Sequence, residues 1–400
     1  MQTANPKEYG FAPERLARIR PVMQRYVSEG KYAGGLTMVS RAGQTVHFEC
    51  FGLRDTAAGT PVEEDTIFRI YSMSKPITSA AVMMLLEEGC FRLNDPISRY
   101  IPAFKDMQVI TRTAGKQAWL EDAAGPITIR HLLTHTAGLS YGFDENDYLD
   151  GLYRKKLWGY LEKQPSPTLK DAVQAIARLP LRFHPGTAYH YSFAIDVLGL
   201  LVEIISGEPF DQFLRRRIFE PLGMPDTGFW VPPEKVDRLA HMYGPDEKHP
   251  GQLKDIDPHE KSDYTHPVTF FSGGGGLVST AADYMRFCRM LLNQGELDGV
   301  RLLGRKTVEY MMLNHLPNGV FLDQDPARGF GLGGFVILNP AQTDSIISAG
   351  AWGWGGAANT KFWIDPREQI IGLLMLQFMP SDLYPIEADF RNLVYQALVD

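Results

Sequence analysis

The first candidate for chemistry is a serine followed three residues later by a lysine. Ser72 and Lys75 stand at the start of a segment whose apolar residues recur at helical spacing, and residues three apart lie on one helix face. A serine hydroxyl is a weak nucleophile at its free pKa, and a lysine amine kept neutral by burial or nearby positive charge accepts its proton. The pair therefore predicts nucleophilic catalysis through a covalent intermediate on Ser72.

This spacing is weakly specific when it is taken alone. Ser28 and Lys31 have it too, but Gly30 lies between them where the chain turns towards a predicted hairpin, so Ser28 is predicted to end a helix. For Ser72 the alternative is an ordinary helix start followed by a solvated lysine. By itself the pair fits that alternative better, so the catalytic hypothesis depends on residues elsewhere in the chain.

Two other motifs indicate chemistry that their surroundings do not fit. Ser140 lies in a G-x-S-x-G pattern, in which the serine of α/β-hydrolases follows a buried strand, but here a helix closed by Gly138 is predicted before it. Ser140 is therefore predicted to be a loop residue. His131 and His135 have the spacing of a metal pair, but Leu132 stands where H-E-x-x-H has glutamate. Structural hydrogen bonding is the predicted role of both histidines, and no metal site is predicted.

A run of four glycines, residues 273–276, resembles part of a phosphate loop. The Lys-Ser/Thr that completes such a loop does not follow it. Close backbone packing before a helix is the favoured explanation.

Strand and helix patterns place the Ser72 segment directly after a hairpin. Alternating apolar residues predict two strands, 36–40 and 45–51, around a turn at 42–44. Helical spacing predicts a helix at 16–27 before the hairpin and another at 72–88 after it. The second helix would carry the candidate nucleophile at its start.

Residues 94–267 show a different pattern from the segments on either side. Short helices alternate with loops rich in proline and glycine. Three of these helices are predicted to begin at Thr128, at Ser192 and at a capping box formed by Thr168 and Asp171. The segment is therefore predicted to be mainly helical.

Strand patterns return near the C-terminus, at 329–338, 361–364 and 370–378, and an amphipathic helix follows at 390–398. Strands at both ends of a chain with helices between them indicate one sheet closed by both termini. The predicted fold class is therefore α+β.

The chain is predicted to form a single catalytic unit, 1–400, with two lobes. Residues 1–93 and 268–400 would form an α/β lobe, whose antiparallel sheet is flanked by helices, and residues 94–267 would form the inserted helical lobe. A cleft between two such lobes is the expected position of a small-molecule site.

Composition excludes several other classes of protein. The 400 residues are 22% charged with a formal net charge of −7, and both signs are mixed along the chain, which argues against nucleic-acid binding. Three widely spaced cysteines form no CxxC pair, and the first twenty residues lack the apolar core of a signal peptide. No apolar run is long enough to span a membrane. The prediction is a soluble cytoplasmic protein.

Several motifs along the chain resemble those of serine β-lactamases and penicillin-binding proteins. In chain order they are residues 65–75 (DTIFRIYSMSK), 132–139 (LLTHTAGL), Pro185-Gly186-Thr187, Tyr191-Ser192, 221–224 (PLGM) and 273–280 (GGGGLVST). The resemblance covers nearly the whole chain in the right order. Within the superfamily the chain looks most like a family VIII carboxylesterase, which is close to class C β-lactamases in fold, and a β-lactamase/transpeptidase-like fold is implied.

The resemblance implies a role for each matching residue. Ser72 matches the acylated nucleophile, and Lys75 matches its proton acceptor. Tyr191 matches the first residue of the family's Tyr-x-Asn element, where a phenol passes the proton to the leaving alcohol. The backbone N–H groups of Ser72 and Ala357 match the oxyanion hole.

The departures from the family pattern indicate the substrate. Phe193 stands where β-lactamases have the asparagine of Tyr-x-Asn, and Trp354, Gly355 and Gly356 replace Lys-Thr/Ser-Gly. In the lactamases those asparagine and lysine groups bind the amide chain and carboxylate of the drug, whereas a phenyl ring and an indole offer apolar surface. These four residues are therefore predicted to bind substrate, and an ester is favoured over a lactam.

The predicted function is a serine carboxylesterase that hydrolyses small, short-acyl esters without a cofactor. Three alternatives stay open: a β-lactamase or peptidase, an acyltransferase that uses the same three residues, and a non-catalytic binding module. The small-molecule ester is the only partner predicted, and the sequence assigns no oligomeric state.

Overall fold

The fold is built around one large antiparallel sheet, described by a computed structural model for residues 2–115, 117–249 and 251–400. The β-strands are β1 (Gly34–Arg41), β2 (Gln44–Asp55), β3 (Thr60–Pro61), β4 (Ile67–Arg69), β5 (Gln108–Ala114), β6 (Gln117–Asp122), β7 (Met242–Pro245), β8 (Leu253–Asp257), β9 (Val278–Thr280), β10 (Glu296–Leu297), β11 (Val300–Arg301), β12 (Arg328–Phe330), β13 (Phe335–Ile337), β14 (Trp352–Gly355), β15 (Lys361–Asp365) and β16 (Ile370–Leu376).

The α-helices are α1 (Pro13–Leu16), α2 (Ile19–Ser28), α3 (Ser74–Glu87), α4 (Ile129–Leu133), α5 (Tyr148–Tyr153), α6 (Gly159–Leu161), α7 (Leu169–Ile176), α8 (Ala194–Ser206), α9 (Phe210–Leu214), α10 (Glu220–Leu222), α11 (Ala281–Leu292), α12 (Arg305–Met311) and α13 (Ile386–Tyr395). No helix within the described ranges combines the length and the apolar character that a membrane span requires.

The central sheet joins the two ends of the chain, as the sequence predicts. Its strand order is β12-β13-β14-β15-β16-β1-β2-β3, and the N-terminal strand β1 pairs antiparallel with the C-terminal strand β16. The predicted hairpin is also present, because Ala42 and Gly43 take positive φ values of 46° and 80° in the turn between β1 and β2. The α+β fold class is therefore confirmed.

Side chains alternate between the two faces of this sheet, and both faces are buried. On β15, Phe362 and Ile364 belong to the core that includes α3, α8 and α11, whereas Trp363 belongs to the core formed with α2 and α13. Because strand residues alternate in direction, one sheet supports two hydrophobic cores.

Residues 94–267 carry the predicted helices and also two hairpins, β5–β6 and β7–β8, that the sequence reading did not include. Most residues of β5 and β6 are exposed, so these strands lack the alternating apolar stripe by which a half-buried strand is recognised. These two strands are recognised by their backbone hydrogen bonds and not by a buried face.

Helix ends agree with the capping predictions in part. Thr128 caps α4, and Thr168 forms a capping box with Asp171 at α7. Two predictions are wrong: α4 ends at Leu133 and not at Gly138, and Phe193 stands at the N-cap of α8 in place of Ser192. The Ser192 hydroxyl instead lies 3.3 Å from Nδ1 of His135.

Candidate active site

Ser72 lies in a tight turn between strand β4 and helix α3. The turn, Tyr71–Met73, is a 3₁₀-helix, so α3 begins two residues later than predicted. Tyr71 has a φ of 41°, a left-handed conformation that is costly for a non-glycine residue and is often found at functional sites. The turn leaves the Ser72 side chain half-buried at the N-terminal end of α3.

Lys75 is fully buried one turn along, and its side chain returns to Ser72. Its Nζ lies 3.1 Å from Ser72 Oγ and 2.6 Å from the carbonyl oxygen of Gly274. The aromatic rings of Tyr141 and Tyr191 lie 5.1 and 4.5 Å from the same nitrogen. The amine therefore sits in an apolar, water-poor environment with one fixed acceptor.

This environment controls the charge of the amine. Burial lowers the pKa of Lys75 to about 7, against the opposing effect of the nearby Asp196 carboxylate. A substantial fraction of the side chain is then neutral near neutral pH, and a neutral amine accepts a proton from a hydroxyl. The arrangement meets the requirement for a general base beside a serine nucleophile.

Asp196 is buried on α8 and organises the segment that holds Lys75. Its Oδ1 accepts hydrogen bonds from the Ser272 hydroxyl at 2.6 Å and from the Gly274 N–H at 3.2 Å. Burial raises the pKa of this carboxyl, and its hydrogen bonds and Lys75 oppose the rise. Asp196 therefore positions the Gly274 carbonyl that accepts from Lys75.

Tyr191 also reaches Ser72. Its hydroxyl donates to Ser72 Oγ at 2.6 Å, and burial raises the pKa of the Tyr191 phenol. The phenol therefore keeps its proton at neutral pH and is a proton donor. Its ring is held between His135 and Tyr141, with centroids 5.0 Å away on each side.

Strand β14 borders the turn that carries Ser72. A Cβ atom at Gly356 would collide with the carbonyl of Ile70 and with the Thr360 hydroxyl, so this position requires glycine for close approach. Ala357 follows in an exposed turn, and its backbone N–H donates to no acceptor among the described residues. Gly355 and Ala357 are thus on the accessible side of the strand end.

Trp354 lies in an aromatic wall beside Ser72. Its ring is 5.6 Å from that of Tyr191 and meets the ring of Phe330 edge-on at 5.1 Å. Phe143, which the sequence reading did not single out, is 71% exposed and stacks on Tyr141 at 4.9 Å. The wall thus continues to the surface through Phe143.

Phe193 does not lie where the sequence reading expected it. It is 2% exposed, and its ring packs against those of Tyr141, Tyr153 and Trp158 at 4.5, 6.2 and 5.2 Å. The ring therefore backs the aromatic wall and has no free surface for a substrate. This burial argues against direct substrate contact.

The second S-x-x-K motif, Ser28 to Lys31, does not form a site like that of Ser72. Ser28 is exposed and its hydroxyl donates to the carbonyl of Arg25, while Lys31 pairs with Glu29. Nothing joins Ser28 to Lys31 in this arrangement. The second S-x-x-K motif is therefore a helix end, as predicted.

Ser140 is a buried loop residue. Its hydroxyl donates to Asp150 and lies 3.1 Å from Nε2 of His190. In a catalytic triad the carboxylate orients the histidine, whereas here it binds the serine directly. This geometry favours a structural role for Ser140.

His131 and His135 do not converge on a common point. His131 closes the capping box of α4 through its Nδ1, which accepts from the Thr128 N–H. His135 has a φ of 54° and lies beyond the end of the helix, where its Nδ1 accepts from the Ser192 N–H. Both make the hydrogen bonds that were predicted for them.

Two residues of the site escaped the sequence reading. Gly274 belongs to the four-glycine run, which packs closely as predicted but also supplies the carbonyl acceptor for Lys75. Asp196 lies inside an apolar helix, and a charged residue in that position is a signal of a buried polar role.

Known proteins resemble this chain along most of its length. A family model described as Beta-lactamase matches residues 19–396. Protein Rv1367c of Mycobacterium tuberculosis is 38% identical over 88% of this chain and 87% of its own length. Esterase EstB of Burkholderia gladioli is 29% identical over 95% of each chain.

A solved structure extends the likeness to three dimensions. EstCE1, described as a hydrolase with promiscuous acyltransferase activity, superposes with a TM-score of 0.81 at 26% identity and covers 96% of this chain and 99% of its own. The chain therefore belongs to the Beta-lactamase family and is a serine hydrolase.

Proposed function

We propose that the protein is a carboxylesterase that hydrolyses small carboxylic esters through an acyl-enzyme on Ser72. The observation that carries the proposal is the convergence of Lys75 Nζ and the Tyr191 hydroxyl on Ser72 Oγ, at 3.1 and 2.6 Å. One neighbour is a base with a lowered pKa, and the other is a phenol that keeps its proton. Together they supply both halves of acid–base catalysis.

In the first half-reaction Ser72 Oγ attacks the ester carbonyl carbon while neutral Lys75 takes the hydroxyl proton. The negative charge that develops on the carbonyl oxygen is stabilised by the backbone N–H groups of Ser72 and Ala357, and removal of one such donor typically costs about 3–4 kcal/mol of transition-state stabilisation. Tyr191 donates its proton to the departing alcohol, and the proton held by Lys75 restores the phenol.

In the second half-reaction water replaces the alcohol. Neutral Lys75 takes one proton of the water as the water oxygen attacks the acyl carbon, and this proton passes to Ser72 Oγ when the bond between the acyl group and Ser72 breaks. The net reaction converts an ester and water into an acid and an alcohol. The chain's own groups move every proton in this scheme.

The aromatic wall supports an ester as substrate. Trp354 and Tyr191 are partly exposed and present rings beside Ser72, and such surfaces bind the apolar acyl or alcohol part of a small ester. A lysine in the position of Trp354 would instead attract a carboxylate. Short-acyl esters are therefore the proposed substrate class.

Acyl transfer to an alcohol is the second candidate, favoured by the likeness to EstCE1, which is described as having promiscuous acyltransferase activity. The same acyl-enzyme would form, and an alcohol would replace water in the second half-reaction. Product analysis with a nitrophenyl ester and added small alcohol separates the two: free acid indicates hydrolysis, and a new ester indicates transfer.

Mass spectrometry of the intact protein after brief mixing with a slowly hydrolysed ester tests the proposal. We expect an acyl adduct on Ser72, loss of nitrophenyl butyrate hydrolysis in Ser72→Ala, and full activity in Ser28→Ala, which removes the serine of the other S-x-x-K motif. An adduct on Ser140, or turnover of a chromogenic cephalosporin as fast as that of the ester, would contradict it.

A further inference from the structure

Two histidines and several carboxylates meet away from Ser72, at the base of the β7–β8 hairpin. The cluster consists of Asp55 at the end of β2, His241 before β7, Asp255 on β8, and His259 and Glu260 in the 3₁₀-turn His259–Lys261. The ligand atoms of His241, His259 and Glu260 all lie within 4.8 Å of one another. We propose that this cluster is a zinc-binding site that fastens the β7–β8 segment to the end of β2.

His241 is the anchor of the site. Its side chain is 5% exposed, and its Nδ1 lies 2.6 Å from a carboxylate oxygen of Asp255. A carboxylate only accepts hydrogen bonds, so Nδ1 carries the proton and Nε2 presents a lone pair. Zinc-bound histidines are commonly fixed in this way, with a carboxylate orienting the imidazole.

The lone pair of His241 Nε2 faces the other donors. His259 Nδ1 lies 2.6 Å from it, Asp55 Oδ2 lies 3.8 Å away, and Glu260 Oε2 lies 3.9 Å away. The other oxygen of Asp55 accepts from the backbone N–H groups of Ala57 and Ala58, which leaves Oδ2 for the cluster. The ligand atoms of His241, His259 and Glu260 therefore form one close group, and Asp55 Oδ2 borders it next to His241 Nε2.

This donor set fits zinc in number and kind. Zinc prefers four ligands in tetrahedral arrangement, with metal–nitrogen and metal–oxygen bonds of about 2.0–2.2 Å, so neighbouring ligand atoms stand roughly 3.3 Å apart. The Glu260 oxygen needs to move towards His241 Nε2 by about half an ångström, and the His259 nitrogen needs to move away from it by a similar amount. Asp55 Oδ2, beside His241, moves in as the fourth ligand. Imidazole favours zinc over calcium or magnesium, which prefer sites made of oxygen.

The proton that lies between the His241 and His259 rings must move when a metal binds. Because His241 Nε2 is an acceptor, His259 Nδ1 donates to it in the metal-free form. Metal binding moves this proton to His259 Nε2, which lies 3.7 Å from Glu260 Oε1. Both imidazoles are then neutral ligands, and no proton has to be released to solvent.

The exposed fractions of the ligand side chains show how a metal ion could enter the site and which ligands could shift to bind it. His241 and Asp55 are 5% and 13% exposed and belong to the ordered framework, whereas His259 and Glu260 are 19% and 63% exposed. The two outer ligands therefore close over a metal that the two inner ones receive. The carboxylates of Asp55, Asp255 and Glu260 supply the negative charge that attracts a divalent cation.

Isothermal titration of the chelator-treated full-length protein with zinc chloride tests the proposal. We expect one zinc ion per chain, an affinity at least tenfold weaker in His259→Ala, and a clear weakening in Glu260→Gln. The matched control is His249→Ala in the same hairpin, because the His249 side chain is 63% exposed and, among the residues that the structure describes, pairs with Asp246 alone. Its zinc affinity should stay within twofold of that of the unmodified protein.

Cobalt substitution gives a second measurement that does not depend on stability. Four-coordinate cobalt in the site should show intense visible absorption that is absent in His259→Ala. Lack of zinc binding by the unmodified protein, or equal binding by His259→Ala and the unmodified protein, would overturn the proposal. The cluster would then be a set of structural hydrogen bonds. Neither outcome bears on ester hydrolysis at Ser72.

Discussion

The Lys75 side-chain nitrogen lies 2.6 Å from the carbonyl oxygen of Gly274, a residue 199 positions further along the chain. This carbonyl accepts one N–H of the amine whether the amine is charged or neutral. A second position of the same nitrogen faces Ser72 Oγ at 3.1 Å, as an N–H in the ammonium form or as the lone pair when the neutral amine acts as the base. A backbone atom of a glycine-rich loop thus fixes the direction of the proposed base.

The proposed base predicts how activity depends on pH. Burial lowers the pKa of Lys75 to about 7, and only the neutral amine accepts a proton, so kcat/KM for a nitrophenyl ester should fall as the pH drops through about 7. The Asp196 carboxylate raises the pKa of Lys75, so its removal in Asp196→Asn should move this acidic limb to lower pH. A limb that stays in place would exclude Lys75 as its source.

Replacing Tyr191 by phenylalanine tests the proposed acid. Because the hydroxyl donates directly to Ser72, Tyr191→Phe should reduce kcat by roughly 100- to 10,000-fold, the usual contribution of a general acid or base. The matched control is Tyr189→Phe, since the Tyr189 hydroxyl is buried without a hydrogen-bond partner among the described residues. Steady-state kinetics should separate the two variants, and equal losses would contradict the assignment.

The glycine run offers a paired test of the Lys75 acceptor. A Cβ atom at Gly274 would lie 2.5 Å from Asp196 Oδ2 and 2.7 Å from the Tyr141 hydroxyl, whereas one at Gly275 would lie 3.8 Å from its nearest neighbour, Tyr71. Gly274→Ala should therefore displace the carbonyl and lower kcat at least tenfold. Gly275→Ala should keep near-normal kinetics, and the reverse order of effects would refute this account of the loop.

Substitutions at Phe193 and Trp354 separate packing from substrate binding. Phe193→Ala should lower the free energy of unfolding by about 3–5 kcal/mol, because it empties a buried ring position, with little change in KM. Trp354→Ala should raise the KM for nitrophenyl esters and destabilise the fold less, since its ring is only partly buried. Chemical denaturation and steady-state kinetics measure the two effects. A large KM change in Phe193→Ala that survives at low temperature would restore its predicted contact with substrate.

Local patterns predicted the features whose geometry is local. The hairpin around residues 42–44 and the Thr168–Asp171 capping box each depend on contacts between residues a few positions apart. The predicted start of α3 was wrong by two residues because the left-handed Tyr71 inserts a 3₁₀-turn there. The β5–β6 hairpin was missed because it has no buried stripe to reveal it.

Some non-local contacts were predicted only through the family resemblance. Tyr191 is 119 residues from Ser72, and no periodicity in the sequence relates the two. The same resemblance misplaced Phe193, because a residue that matches a binding position can still pack inward when its side chain is large and apolar. Burial of the ring against Tyr141 and Trp158 decided its place.

The sequence by itself determined the serine–lysine spacing, the α+β class and the meeting of both ends of the chain in one sheet, because each follows from short-range spacing or from the order of elements. Only the tertiary structure brought Gly274 to Lys75 and Asp55 to His241. These groups are far apart in sequence, and it is the packing of β2 against the β7–β8 segment, and of the glycine loop against α3 and α8, that sets the distances between them.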